Sequence, residues 1–373
     1  MAKPVHYHEG RFPPVEMDWK KLIPLVGPAN AAVARYDGAL AAVVNPAVLM
    51  SPLTTQEAVL SSRIEGTQAT MAEVLEFEAK GDIPEMSERK KGDIREILNY
   101  RKAMKRAEEM LGELPLCLRI VKETHEILLE GVRGEGKAPG DFRKTTNWIG
   151  PAGCTIDEAR YVPIGADKLP AALGTWENYL HADAPDRLVQ LALIHAEFEA
   201  LHPFLDGNGR LGRMLVPLFM SQVGLIRRPV FYISSYLEAN RNEYYERLLA
   251  VSRDGDWTGW SMFFLKALKA QAVDNLAKTT GILDLYGRLR QKVGTITRSP
   301  HGMKALDWFF AAPIFKATDF AAHSAIPEAT GRRILAAFRD AGVIRQVSEA
   351  MGQKASVLVF SELLNIAEGR DAF

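Results

Sequence analysis

The sequence predicts a mainly α-helical protein with one β-hairpin in its core and a winged helix–turn–helix at its C-terminal end. Three observations carry this. Apolar residues recur at three- and four-residue steps on both sides of residues 202–213: Leu188, Leu191, Ile194, Phe198 and Leu201 before, and Met214, Leu215, Leu218 and Phe219 after. That is the buried stripe of an amphipathic helix. A longer helical run starts at Trp257-Thr258-Gly259-Trp260-Ser261 and reaches about Gln291. Extended patterns are confined to 155–163, ended by Pro163, and to the pair 343–347 and 355–360.

Taken in order, residues 1–50 read as a cap with a Pro-rich entry and a partly helical stretch over 26–44. Residues 51–115 read as helices, one of them from about 56 to 78, with a charged and solvated run at 88–95. The helix over 186–201 should end near His202, because Pro203 cannot continue it. The helix over 210–222 has Gly224 as its stop signal. Gly207-Asn208-Gly209 therefore sits just ahead of a helix N-terminus. Residues 298–302 read as a linker; 318–323 as a short helix, Ile326-Pro327 as a turn, 328–341 as a recognition-like helix ending at Gly342, and Met351-Gly352 as the tip of a wing. The expected domains are 1–115 (N-terminal helices), 116–297 (core) and 298–373 (winged module).

A chain of 373 residues exceeds one typical domain and can bury a substantial core. Its 47% hydrophobic and 25% charged residues are those of an ordinary soluble protein. A formal net charge of zero argues against a broadly basic nucleic-acid binder. Cys117 and Cys154 have no metal-like spacing and read as thiols in a reducing cytoplasm. The N-terminal residues have no signal-peptide pattern, and the most apolar early run, 38–50, is broken by Asn45 and Pro46 and too short to span a membrane.

The chemistry concentrates in His202-Pro203-Phe204-Leu205-Asp206-Gly207-Asn208-Gly209-Arg210-Leu211-Gly212-Arg213. Glycines before a helix let N–H groups converge on an anion, and the helix dipole adds favourable potential for phosphate. Arg210 and Arg213 offer planar forks of donors to phosphate oxygens. Asp206, beside a polyphosphate, is placed to hold Mg2+. His202 titrates near neutral pH and can take a proton from a hydroxyl nucleophile. Phe204 reads as a core anchor and His195 as a hydrogen-bonded core residue. Glu197 and Glu199 are expected on less buried faces, without chemistry.

This stretch resembles the core motif of the Fic family, HPFx[D/E]GNGRxxR, and matches every defined position. The resemblance covers roughly 15–290. It implies a Fic-type helical core with a β-hairpin flap, and transfer of AMP from ATP to Ser, Thr or Tyr hydroxyls of target proteins. By that resemblance His202 is the base and Asp206 the Mg2+ ligand. Gly207, Asn208, Gly209 and Arg210 hold the α- and β-phosphates and Arg213 the γ-phosphate, with Leu211 and Gly212 in the same nucleotide-binding stretch.

Upstream, Ser61 and Glu65 are four residues apart and share a helix face. Gly66 follows, a glycine that inside a helix implies close approach to something. Ser61-Ser62-Arg63-Ile64-Glu65-Gly66 resembles the Fic inhibitory motif [S/T]xxxE[G/N]. The resemblance implies that Glu65 pairs with Arg213 and denies its donors to the γ-phosphate, so that ATP binds unproductively. Pro139-Gly140-Asp141-Phe142-Arg143 leads into Asn147-Trp148-Ile149-Gly150 and the extended 155–163. In the family a hairpin flap lies here and clamps the target by strand addition. Fic chains also place an Asn and a Tyr pair near the adenine, which nominates Asn240 and Tyr244 of Asn240-Arg241-Asn242-Glu243-Tyr244-Tyr245.

In the winged module, Arg332, Arg333 and Arg339 could touch phosphates. Residues 301–373 nevertheless hold eight Lys/Arg and eight Asp/Glu, a balance that favours protein contact over DNA. A homodimer is compatible with the family. Two rival readings stand beside AMP transfer: removal of AMP or transfer of another phosphate-containing group by the same loop, and a nucleotide-sensing DNA-binding regulator.

Overall fold

The computed structural model describes residues 3–43, 45–81, 83–348 and 356–373. Helices come in the order α1 (Trp19–Ala41), α2 (Pro46–Leu49), α3 (Ser51–Ile64), α4 (Met71–Lys80), α5 (Glu88–Leu111), α6 (Leu118–Leu128), α7 (Leu169–His181), α8 (Arg187–Leu201), α9 (Asn208–Gln222), α10 (Ser234–Ala239), α11 (Arg241–Asp254), α12 (Trp257–Thr297), α13 (Gly302–Ala311), α14 (Ala317–His323), α15 (Glu328–Asp340) and α16 (Ser361–Glu368). The strands are β1 (Val5–His6), β2 (Tyr161–Val162), β3 (Ile314–Lys316), β4 (Arg345–Ser348) and β5 (Val357–Val359). The protein is mainly helical, as its periodicity predicts.

Two compact units form, and they cut across the expected boundaries: residues 1–37, 60–67 and 98–273 make the first, and 38–59, 68–97 and 274–373 the second. In the first unit α8 is the central helix. It packs on α7, α9 and α11 and is buried on nearly every side. A helix that is apolar all round belongs in an interior. The indoles of Trp176 and Trp260, both fully buried, donate to the Ile194 and Ala192 carbonyls. Asp186 caps α8, its carboxylate accepting from the Leu188 and Val189 amides at 2.9 Å, which satisfies donors that the first turn leaves open.

The expected flap hairpin takes a different form. Residues 155–158 are a 3-10 turn closed by a Thr155–Glu158 capping box, which takes them out of any strand. Only Ile149 and Tyr161 form an antiparallel bridge, while β2 pairs in parallel with β1, Val5 beside Tyr161 and His6 beside Val162.

The expected helix over 56–78 is two helices. α3 stops at Ile64, and α4 starts afresh at Thr70, whose hydroxyl and Glu73 make a reciprocal capping box. Between them Gly66 adopts φ +101°, and a Cβ there would meet nothing within 4 Å. Glycine is needed at that position for its backbone angle, not for close approach.

In the second unit, β3, β5 and β4 form an antiparallel sheet in that order. β3, which the sequence reading did not foresee, pairs Phe315 with Leu358. Helices α14 and α15 fall where a helix–turn–helix was expected, around an aromatic core in which Phe309 meets Phe315, Phe320 and Phe338 at centroid distances of 5.4, 5.7 and 5.0 Å. The expected wing tip at Met351-Gly352 lies outside the described residues. The same unit includes α4, which packs on β3 and receives the Lys316 ammonium at the Lys80 carbonyl, 3.0 Å away. Among the described residues no helix is long and apolar enough to cross a membrane.

Candidate functional site

The loop from His202 to Gly207 joins α8 to α9, and its backbone is tied down residue by residue. His202 ends α8 in the left-handed region, at φ +46°. Arg143 secures that end: Nε donates to the His202 carbonyl at 3.0 Å, NH2 to the Leu201 and Ile164 carbonyls, and NH1 to the Thr145 carbonyl at 3.2 Å. Asn208 staples the loop from the other side, Oδ1 accepting from the Phe204 amide and Nδ2 donating to the Phe204 carbonyl, both at 2.9 Å. Phe204 is wholly buried, as a core anchor should be. Gly207 turns the chain at φ +78°. α9 then begins at Asn208, two residues earlier than the periodicity suggests, so Asn208 and Gly209 lie inside its first turn.

Charge pairs occupy both ends of the motif. At one end, Asp206 Oδ1 accepts from the Gly207 amide at 2.7 Å, Oδ2 lies 3.2 Å from the Lys137 ammonium, and Arg210 NH2 is 3.7 Å from Oδ1. At the other end Arg213 is buried, with 1% of its surface exposed. Its Nε donates to Ser61 Oγ, and NH2 donates to both the Ser61 carbonyl and Glu65 Oε1, each at 2.8 Å. Ser61 and Glu65 share one face, as their spacing predicts, and both meet Arg213, the partner that the resemblance implies for Glu65. Burial works against the Glu65 carboxylate, but Arg213, with Arg210 and His202, holds it below the usual range. Burial likewise opposes the charge on Arg213, and Glu65, Tyr244 and Glu199 outweigh it. Gly209 faces this pair so closely that a Cβ would stand 2.2 Å from Glu65 Oε1.

A cavity of about 500 Å³ opens between these groups, lined among others by Glu65, Glu199, His202, Gly209, Arg213 and Tyr245. Burial pushes His202 down to about 4, against opposing pulls from Glu65 and the Glu199 carbonyl, so its imidazole is neutral at pH 7 and able to accept a proton. His195 lies underneath. The Gly212 carbonyl, 3.1 Å from Nδ1, fixes the proton there, and Nε2 accepts from the Tyr244 hydroxyl at 2.9 Å. Burial takes His195 down to about 3, the hydrogen-bonded core histidine that was expected.

Several sequence expectations need correction. Glu197 is buried, and the Glu199 side chain is only 11% exposed. Glu197 is 1% exposed and accepts from Tyr7 Oη and His8 Nε2, while Ser252 Oγ donates to His8 Nδ1 at 2.8 Å. Glu199 lines the cavity, and burial, helped by Glu65, raises its carboxyl to about 7. Asn240 does not line the cavity, because its amide donates to the Tyr236 carbonyl at 2.9 Å. Tyr244 lines it from the core side, 1% exposed, and its neighbour Tyr245 lines it as well, with Arg241 over its ring at 5.8 Å. Leu211 is wholly buried and outside the cavity lining. His125, Lys137 and Arg143 went unassigned. His125 stands as a polar residue within the apolar stripe of Ile120, Val121, Thr124 and Leu128, and Arg143 closes the 139–143 lead-in to the expected flap.

A divalent cation fits the Asp206 end. Among the described residues no three His, Cys, Asp or Glu converge on one point. A single partly exposed carboxylate is the donor set of a cation that takes its other ligands from phosphates and water. A polyphosphate fits the Gly209 cradle at the head of α9, which the Glu65 carboxylate and the Arg213 guanidinium face.

Comparison with known proteins points to one family. The family model described as Fic/DOC family N-terminal matches residues 23–109, and that described as Fic/DOC family matches 115–220. Protein adenylyltransferase Fic of Drosophila grimshawi is 29% identical over 201 residues, 52% of this chain and 37% of its own. A probable protein adenylyltransferase of Aquifex aeolicus is 30% identical over 144 residues, 37% of this chain and 40% of its own. The chain thus spans well under half the length of these relatives. Among solved structures, a Fic family protein from Desulfovibrio desulfuricans G20 has a similar fold, with a TM-score of 0.59 at 18% identity over 93% of this chain and 98% of that one. A Fic domain containing signaling protein from Bacteroides thetaiotaomicron aligns with a TM-score of 0.55 at 17% identity over 69% of this chain and 97% of that one.

Proposed function

Because the chain belongs to the Fic/DOC family, we propose that it is a protein adenylyltransferase that moves AMP from ATP to hydroxyl groups of target proteins, and that Glu65 holds it in a low-activity state. The observation that carries the reading is the contact of Glu65 with Arg213 at 2.8 Å, beside a neutral His202 in the same cavity.

The chain's own residues divide the work. Gly207, Asn208, Gly209 and Arg210 present amides and a guanidinium to the α- and β-phosphates, and Arg213 to the γ-phosphate. The cavity takes the nucleoside against Tyr244 and Tyr245. His202 takes the proton from the target hydroxyl, whose oxygen forms a bond to the α-phosphorus as the bond to pyrophosphate breaks. A Mg2+ ion held by Asp206 and the phosphates would supply charge neutralisation for the leaving group. The 147–163 segment receives the target by strand addition. Glu65 blocks the sequence by holding the Arg213 donors that the γ-phosphate requires. The module at 298–373, with charges in balance, serves contact with protein rather than DNA, and the whole acts in the cytoplasm.

The test uses wild type, Glu65→Gly and His202→Ala with Mg2+, cell lysate and ATP labelled at either the α or the γ position. Protein labelling from the α position alone, raised in Glu65→Gly and lost in His202→Ala, is expected. Label from the γ position would mean phosphoryl transfer. No label in any variant would favour AMP removal or the regulator reading.

A further inference from the structure

Asp206 rests on two supports that the scheme above does not use. His125, on α6, is wholly buried. The Gly140 amide donates to its Nδ1 at 2.9 Å. A backbone N–H can only donate, so Nδ1 carries no proton and the ring hydrogen sits on Nε2. Nε2 then donates to the Asp206 carbonyl at 3.0 Å. The same ring stacks on Phe204, centroids 3.7 Å apart and planes 14° apart. Gly207 packs beside the ring, and a Cβ there would make ordinary contact with Nε2 at 3.5 Å. One imidazole therefore joins the 203–207 loop to the loop that leaves α6 and ends at Gly140. That second loop carries Lys137, its ammonium 3.2 Å from Asp206 Oδ2. It also carries Gly134, where a Cβ would stand 3.3 Å from the same oxygen.

We propose that His125 is a positioning residue for cation binding: as a bridge with its proton fixed on Nε2, it holds Asp206 and the Lys137 loop at one spacing, so that Oδ2 can exchange the Lys137 ammonium for a divalent cation. The proposal rests on the reading of Asp206 given under the proposed function. Lys137 is about half exposed, at 52%. An ion pair of that kind is weak, and its ammonium leaves at low cost. The carbonyl that His125 holds belongs to the same residue as the ligating carboxylate. Losing the Nε2 donor frees that backbone to rotate and takes the carboxylate out of register with the phosphate cradle.

Asparagine and glutamine separate the two bonds of the ring. Asparagine offers an acceptor near the Nδ1 position but no donor to Asp206. Glutamine offers a donor near the Nε2 position. The experiment titrates Mn2+ into the full chain, in the Glu65→Gly background and with a non-hydrolysable ATP analogue, and reads unbound Mn2+ by electron paramagnetic resonance. His125→Asn should weaken Mn2+ binding about tenfold, and His125→Gln should stay within about threefold of the parent. Equal losses in both variants, or no loss in His125→Asn, overturn the proposal. Binding of the analogue in chelator is measured on the same proteins. A parent that binds no analogue overturns the nucleotide reading and this proposal with it. A parent that binds analogue but no Mn2+ overturns the role of Asp206 and therefore that of His125. Analogue and Mn2+ bound normally by the His125→Asn protein overturn the His125 proposal alone.

Discussion

Two segments reach the cavity of the first unit, and they are held in different ways. The end of α3 arrives with Glu65 and is fixed by three hydrogen bonds onto one buried guanidinium. The 147–163 segment is held through its backbone by an internal bridge between Ile149 and Tyr161 and by the pairing of β2 with the two residues of β1. A side-chain clamp on a buried charge is expensive to break, because the charge left behind has no water to turn to. A short ladder can shift or re-pair at modest cost. Under the proposed function, the contrast assigns stability to the blocked state and adaptability to the segment that would receive a target.

Removing the proposed base should give the largest effect, and breaking the clamp the next. His202→Ala sets the floor, with AMP incorporation lower by about 10³-fold if the imidazole is the base. From wild type upward, Glu65→Gly should raise incorporation at least about tenfold, the equivalent of roughly 1.4 kcal/mol. It should also lower the thermal midpoint, since Arg213 loses its counter-charge. Ser61→Ala removes one acceptor from Nε and leaves the Glu65 contact. Its activation should be smaller, about fivefold, in line with one hydrogen bond. An equal rise in both variants would show that the three bonds act as one unit and would sharpen the contrast. On the other segment, Ile149→Pro deletes the amide that donates to the Tyr161 carbonyl at 2.9 Å. Transfer to a target should fall by about threefold, while nucleotide affinity measured by calorimetry stays unchanged. A matching loss of nucleotide affinity would erase the distinction between the two segments. Last, Lys137→Met should tighten Mn2+ binding by less than about tenfold, because a half-exposed pair contributes little.

Acid should act on the tightly held part first. His125, His195 and His202 are pushed by burial to about 4, 3 and 4, from an ordinary value of 6.5. Below pH 6.5 the unfolded chain binds protons that the folded imidazoles refuse, so stability falls as pH falls. Glu199, raised to about 7, works the other way: between 4.5 and 7 the folded state holds a proton that the unfolded chain has lost. Three imidazoles outweigh one carboxylate, and the urea midpoint should drop between pH 6.5 and pH 4.5. A flat profile over that window would contradict the burial of these rings.

Much of the motif end of the site was legible in the sequence. Its spacing is local, twelve consecutive residues fold as one loop and one helix turn, and local physics decides the outcome. The meeting of Ser61 and Glu65 on one face was legible for the same reason. What stayed hidden was set by residues distant in sequence. Glu199 sits on a helix whose polar positions look solvated until Tyr244, from α11, covers them. Parallel pairing of β2 with residues 5 and 6 depends on an N-terminal strand of only two residues, too short for any periodicity. The break after Ile64 was missed because a glycine in a helical pattern reads as a packing feature, whereas here the backbone angle required it.

His202 occupies a left-handed conformation, φ +46°, that costs a residue with a Cβ roughly 1–2 kcal/mol, and its Nδ1 is buried without a hydrogen-bond partner. If His202 is the base proposed above, the position trades fold stability for chemistry. Asparagine tolerates that backbone region better than most residues. His202→Asn should be inactive and yet at least as resistant to heat as the wild type.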